Sequence, residues 1–229
     1  MDDRRKHVLG LVVSEAIRTG EPVGSQYLVE TYNLNVSPAT IRNWFAELEQ
    51  EGFLAQPHTS SGRMPTEKGY RLFLEELMES KPISRRDRQM LEKAVEGIDD
   101  ADKRCKELAK AMSEMIGNAV ILGLHRSDSY YTGLSQLFNQ PEFRDWNRVV
   151  NLGEMLDRLD EVLVGLREQR YPAPRVLIGQ ECPFGSACGC IILTLSSGSL
   201  IAILGPMRMD YSFGISLLNV GRELLESSS

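Results

Sequence analysis

Arg42 and Asn43 stand side by side in the run Ser37-Pro38-Ala39-Thr40-Ile41-Arg42-Asn43, and their chemistry is that of base-edge recognition. A guanidinium can donate two hydrogen bonds to guanine, and a carboxamide can pair in a bidentate way with adenine. Ser37 and Thr40 carry small hydroxyls suited to phosphate oxygens, helped by the free backbone N–H groups of a helix start. With Ile41, Phe45 and Leu48 turned inward at about 100° per residue, Ala39, Arg42, Asn43 and Ala46 face outward. A second polar group follows at His58, Thr59, Ser60, Ser61 and Arg63, where hydroxyls and one arginine suit a loop lying on the backbone or in the minor groove. The same residues also fit the solvated surface of an ordinary small helical domain.

Other chemistry is thinner. Cys182, Cys188 and Cys190 are spaced C-x5-C-x-C, without the C-x2-4-C pairs or the nearby histidine of a zinc site. Exposed thiols of low pKa would sense oxidation. In an extended stretch, Cys188 and Cys190 share one face, so burial is the plainer account. The histidines are His7, His58 and His125, none in H-E-x-x-H or beside a nucleophile motif, and there is no P-loop and no G-x-G-x-x-G. No enzyme, metal or cofactor is expected.

The elements that must hold these residues follow from spacing. Leu9, Val12, Val13, Ala16 and Ile17 mark a first amphipathic helix stopped by Gly20. Ser25 is expected to cap a second, ending at Asn33. Ser37-Pro38 is the strongest boundary signal, a capping hydroxyl before proline at the first helical position, and that helix ends at Gly52. Phe53–His58 and Arg63–Pro65 read as strands around Thr59-Ser60-Ser61-Gly62, and Thr66 caps the next helix. Three helices and a hairpin make a winged helix-turn-helix pattern.

Beyond Lys81-Pro82, Leu91, Ile98, Cys105, Met112 and Ala119 repeat every seven residues, as do Ala94, Ala101, Leu108, Met115 and Leu122. That is the seam of a coiled coil, although Gly97 and Asp99-Asp100 weaken it, and a helix packed on its own domain explains it equally well. Residues 142–170 read as another helix, then Val176–Ile178, Cys190–Leu195 and Leu200–Leu204 as strands, and a final helix buries Ile215, Leu218 and Leu225. The expected organisation is α+β: residues 1–80 a DNA-binding domain, 81–125 a long connecting helix, and 126–229 a mixed α/β domain.

The chain has 229 residues, 42% hydrophobic and 25% charged, which excludes collagen-like, mucin-like and wholly disordered classes. The apolar stretch Ile191–Gly205 is broken by serines and Ser197-Gly198, short of the 18 or so apolar residues of a membrane span. Without a cleavage motif after MDDRRKH the expected compartment is the cytoplasm. The net charge is −6, and residues 1–70 hold seven Lys/Arg against nine Asp/Glu. Any positive field for nucleic acid must come from local placement of Arg42, Arg63, Lys68 and Arg71, with Glu47, Glu49 and Glu51 turned away.

Several dense blocks together resemble one family. Pro22-Val23-Gly24-Ser25, Ser37–Asn43, Gln56–Arg63, Pro65-Thr66 and Lys68-Gly69-Tyr70-Arg71 are similar to the heat-inducible transcription repressor HrcA family of bacteria. So are Gly133-Leu134-Ser135, Gln140–Phe143, Ile178–Glu181 and Gly205–Tyr211, in the same order. The resemblance implies a homodimeric repressor of chaperone operons, acting at an inverted-repeat operator on double-stranded DNA. It also implies a winged-helix domain, a GAF-like domain and help from the chaperonin GroEL. It maps the recognition helix onto Ser37–Gly52 and the wing onto Phe53–Pro65.

The family's early GAF-like strands and inserted dimerisation domain have no counterpart between the heptad helix and Gly133, so a reduced GAF-like domain is expected. The heptad helix Leu91–Leu122 is the candidate substitute dimer contact. The alternative is a winged-helix regulator triggered by a small ligand, or by thiol oxidation or metal at Cys182, Cys188 and Cys190. Trp44-Phe45 replaces the family's acidic-then-methionine pair.

Overall fold

A computed structural model describes residues 1–58, 62–79, 81–124 and 128–227, and the chain divides into two compact units, Met1–Glu79 and Ser80–Ser229. In the first, α1 (Asp3–Thr19) starts on the Asp2 carboxylate, which accepts from the Arg5 N–H, and stops at Gly20 with φ 72°. Helix α2 (Ser25–Tyr32) ends at Asn33 with φ 50°. Its cap is Gly24, not Ser25, and no side chain bonds the helix start there. Helix α3 (Pro38–Gln50) begins as the sequence predicts, with the Ser37 hydroxyl accepting from the Thr40 N–H and Pro38 in the first turn.

Val8, Leu9, Val12 and Val13 of α1 meet Leu28, Ile41, Phe45 and Leu48 in a buried core, closed below by Leu54 and Tyr70. Strands β1 (Leu54–Ala55) and β2 (Met64–Pro65) pair antiparallel, shorter than the predicted runs. Thr66 caps α4 (Glu67–Leu72), which widens into a π turn over Phe73–Leu77.

The connecting helix expected from the heptads is the main correction. Its span holds three elements: α5 (Arg85–Val95), α6 (Ala101–Ile116) and the strand β3 (Ala119–Gly123). Gly97 takes a left-handed φ of 69°, and the Asp100 carboxylate accepts from the Lys103 N–H to start α6 afresh. Leu91, Cys105, Leu108 and Met112 are buried within the unit, so they offer no seam to another chain. A seven-residue apolar repeat suits any amphipathic helix with a partner, and here the partner is intramolecular.

After β4 (Ser129–Thr132) come α7 (Leu134–Phe138), a 3-10 turn at Pro141–Arg144, α8 (Trp146–Asp157) and α9 (Leu159–Gln169). The helix expected over 142–170 is thus broken at Arg158. Strands β5 (Arg175–Ile178), β6 (Cys188–Thr194) and β7 (Leu200–Pro206) precede α10 (Tyr211–Glu226). The sheet is antiparallel, in the order β4-β3-β7-β6-β5. The sequence reading missed β3 and β4, having assigned Ala119 and Leu122 to the heptad series.

Alternation along the strands gives each face its own core. Ile121, Cys190, Ile192, Ala202 and Leu204 pack with Leu137, Phe143, Leu152, Leu159 and Leu163 of α7 to α9. On the other face, glycines bring α10 close. A Cβ on Gly214 would lie 2.3 Å from Ile191 Cδ1, and one on Gly221 would lie 2.2 Å from Met112 Cε.

Candidate nucleic-acid interface

The first unit presents α3 by its ends and its tie to the hairpin. Ser37 Oγ accepts from the Thr40 N–H at 3.1 Å and lies 3.0 Å from Thr40 Oγ1, so both hydroxyls are engaged in the cap. Their first task is holding the helix start. Arg42 and Asn43 follow on the exposed side, with Trp44 half-buried at the margin of the apolar stripe. Among the described residues Arg42 forms no ion pair.

The acidic residues of α3 are dealt with by pairing. Arg5 of α1 reaches Glu51 at 2.6 Å and Glu47 at 3.2 Å, while Arg63 reaches Glu49 at 2.9 Å. Lys68 lies 4.3 Å from the centre of the Phe53 ring and donates to the Glu51 carbonyl at 2.8 Å, and Arg71 pairs with Glu67 at 3.0 Å. The expectation that Arg63, Lys68 and Arg71 supply a positive field beside acids turned away is therefore corrected. These cations neutralise or stack within the unit, and the side chain of Arg63 is only 18% exposed. The sequence does not announce the role of Arg5, because its partners on the α3 side, Glu47 and Glu51, lie more than 40 positions away.

The hairpin is pinned to the rest of the unit. Val23 and Arg63 exchange two backbone hydrogen bonds of 2.9 Å, adding the α1–α2 loop to the β1–β2 ladder. Gly62 is required there, since a Cβ would sit 2.3 Å from the Val23 carbonyl carbon and oxygen. Gly69 does the same for α4, where a Cβ would meet the Phe53 carbonyl oxygen at 2.3 Å. His58 is exposed at the start of the turn; Thr59 and Ser60 lie outside the described residues. Ser37, Thr40, Arg42 and Asn43 thus share α3, with Arg63 joined to that helix through Glu49.

One buried charge holds α1 to α2. The Glu15 carboxylate, 4% exposed, accepts from Arg18 at 2.6 Å, Tyr32 Oη at 2.6 Å and Tyr27 Oη at 2.9 Å. The Arg18 bond above all, then the two phenols, holds its pKa down at about 2 against the opposing cost of burial. Burial, with the carboxylate beside it, pushes Tyr32 up to about 12.

In the second unit the thiols that a redox trigger would use lie in the core. Cys182, Cys188 and Cys190 are buried and unbridged, and burial pushes Cys188 up to about 12. Cys190 is raised well above the ordinary thiol range by its hydrogen bond with Cys182 and by burial, and that same bond lowers Cys182, itself buried. Among the described residues no three His, Cys, Asp or Glu side chains are placed to hold a metal ion. Beside the sheet, α10 packs closely at two glycines, Gly214 against Ile191 of β6 and Gly221 against Met112 of α6. An open hollow of about 790 Å³ lies at the corner of α9 and β5, lined by Tyr171, Pro172, Pro174 and Arg175.

The remaining sequence blocks meet at one corner. Arg208 Nε contacts Glu142 Oε1 at 2.5 Å, Arg208 Nη2 donates to Gln140 Oε1 at 2.7 Å, and Gln140 Nε2 donates to the Gly117 carbonyl at 3.0 Å. Asp210 caps α10 and Tyr211 is buried, its hydroxyl donating to the Met207 carbonyl at 2.7 Å. The loop is a salt-bridged corner.

A helical unit with a pinned hairpin, followed by a separate unit of antiparallel sheet and helices, defines a two-unit protein of mixed helix and sheet. The profile described as "HrcA protein C terminal domain" matches residues 66–215. The chain belongs to the HrcA family.

Curated relatives agree. A protein of Kineococcus radiotolerans named heat-inducible transcription repressor HrcA is 45% identical over 121 residues, 53% of this chain and 35% of that one. One of the same name from Frankia casuarinae is 42% identical over 122 residues, 53% of this chain and 36% of that one. The matched stretch therefore spans about a third of their length. The crystal structure of a hypothetical protein superposes with a TM-score of 0.78 over 100% of both chains at 18% identity, a likeness of fold alone.

Proposed function

We propose that this chain is a sequence-specific DNA-binding repressor of heat-shock genes. Its first unit would act as a winged helix-turn-helix and its second as a reduced GAF-like domain. The observation that carries the reading is α3: capped by Ser37, it presents Arg42 and Asn43 outward while Glu47, Glu49 and Glu51 are paired away. Arg42 and Asn43 read base edges in the major groove. The helix start at Ser37 and Thr40 receives a phosphate, and the His58–Arg63 turn, with Thr59 and Ser60, forms the wing.

Relatives that share about half of this chain are named heat-inducible transcription repressors, which supports the same role here. Two chains would bind the two halves of an inverted repeat and exclude polymerase, in the cytoplasm, with the chaperonin GroEL as the partner that maintains activity. Among the described residues no helix is long and apolar enough to cross a membrane.

The test is binding to an inverted-repeat operator duplex against a scrambled one over a salt series, with mass read from the same samples. Two chains per operator and a clear preference support the reading. Equal affinity for both duplexes removes it.

A further inference from the structure

The hollow of about 790 Å³ between α9 and β5 falls in the size range of small-ligand sites. Its apolar surface comes from Leu166 of α9 and Leu177 of β5, both buried, and from Tyr171, 7% exposed. Pro172, Pro174 and Pro183 add rings that fix the local backbone. The walls are tied to the unit. The Tyr171 N–H donates to Thr194 Oγ1 at 2.9 Å, and the Thr194 N–H donates back to the Tyr171 carbonyl at 2.8 Å. Arg222 Nη1 donates to the Pro172 carbonyl at 2.8 Å, and the Tyr171 hydroxyl donates to Gln169 Oε1 at 2.5 Å. A hollow held open in this way needs little ordering to accept a ligand.

Two arginines border it. Helix α9 stops at Arg170, with φ 47° and ψ 127°, where glycine would sit with less strain. Arg175 is exposed at the start of β5. Burial pushes the Tyr171 phenol up, and the Arg175 charge opposes that from close by. Among the described residues neither arginine forms an ion pair. Glu181 also lines the hollow, so its charged groups are two guanidiniums and one carboxylate.

We infer that this hollow binds a small organic carboxylate with an apolar body. The carboxylate takes paired hydrogen bonds from a guanidinium fork at Arg170 or Arg175, and the apolar body lies over Leu166, Leu177 and the Tyr171 ring. One net positive charge suits a monoanion. A phosphate monoester, with close to two negative charges, would leave an excess facing Glu181. Strain at Arg170 then has a reason: glycine would relieve the backbone but bring no charge to the hollow.

The site lies in the second unit and does not depend on the repressor reading. The test is calorimetric titration of the whole chain with naphthalene-2-carboxylate and with decanoate, each against its neutral carboxamide. At least one acid is expected to bind saturably, one molecule per chain, and its amide roughly tenfold or more weakly, as for loss of a hydrogen bond to a charged group. The tighter of the two acids tells whether a ring or a chain fills the hollow. Arg170→Gly is expected to melt no lower than wild type and yet to weaken the acid by a similar factor, which a merely structural role for Arg170 does not produce. Arg175→Gln, on an exposed strand end, is expected to do the same. No saturable binding of either acid, equal binding of acid and amide, or binding that both variants leave unchanged overturns the inference.

Discussion

Removing the Arg42 guanidinium should cost about 1–3 kcal/mol of operator affinity and relax the preference at one base position, as for a lost bidentate contact. Comparison of Arg42→Ala on matched and base-substituted duplexes checks this; equal weakening on all DNA would make Arg42 a phosphate contact. Ser37 calls for a different expectation, because its hydroxyl is committed to the Thr40 N–H. Ser37→Ala should lower stability by about 0.5–2 kcal/mol, the usual worth of a helix cap, before it affects DNA. The cysteines bear on regulation at this scale. With Cys182, Cys188 and Cys190 buried, and Cys188 and Cys190 held above the ordinary thiol range, thiol reagents should modify them only as fast as the unit opens. Operator binding should then survive peroxide; prompt loss, absent in a triple serine variant, would show exposed thiolates.

Between elements, two tight contacts carry the first unit. Gly62→Ala drives a methyl into the Val23 carbonyl and should cost about 1–3 kcal/mol by overpacking, with hydrogen exchange at the Val23 and Arg63 amides rising first. Glu15→Gln leaves Arg18 and both phenols without their anion and should cost about 1–3 kcal/mol. The Glu15 pKa lies at about 2 in the folded protein, below its ordinary 4.5. Its contribution is therefore complete above pH 4.5 and is lost as the pH falls towards 2. An acid melt of wild type against Glu15→Gln checks the sign, since the difference between them should shrink through that window. At this scale the sequence was legible where a single residue imposes a local conformation: Ser37-Pro38, Gly20 and Asn33 each bound a helix where expected. It was illegible where an apolar repeat admits two partners. Leu91, Cys105 and Met112 satisfy a coiled coil and an internal helix pair alike, and only the path of the chain at Gly97–Asp100 decides between them.

For the whole molecule, two units with separate cores predict two cooperative unfolding events. Residues 1–79 alone should melt cooperatively, and failure of that fragment to fold would show the units to be interdependent. Arg208 joins blocks of sequence more than 60 positions apart, a link that no local pattern foretells. Losing it should loosen the corner of Gln140, Glu142 and Gly117 without touching the first unit.

The pairing of Arg5 and Arg63 with the acids of α3 has a kinetic consequence. A surface whose charges close on one another within 3 Å or so projects little field beyond a Debye length. Such a protein meets DNA by unaided diffusion, at about 10⁵–10⁶ per molar per second rather than at a steered rate. Discrimination among sequences would then be exercised after contact, in how long each complex lasts.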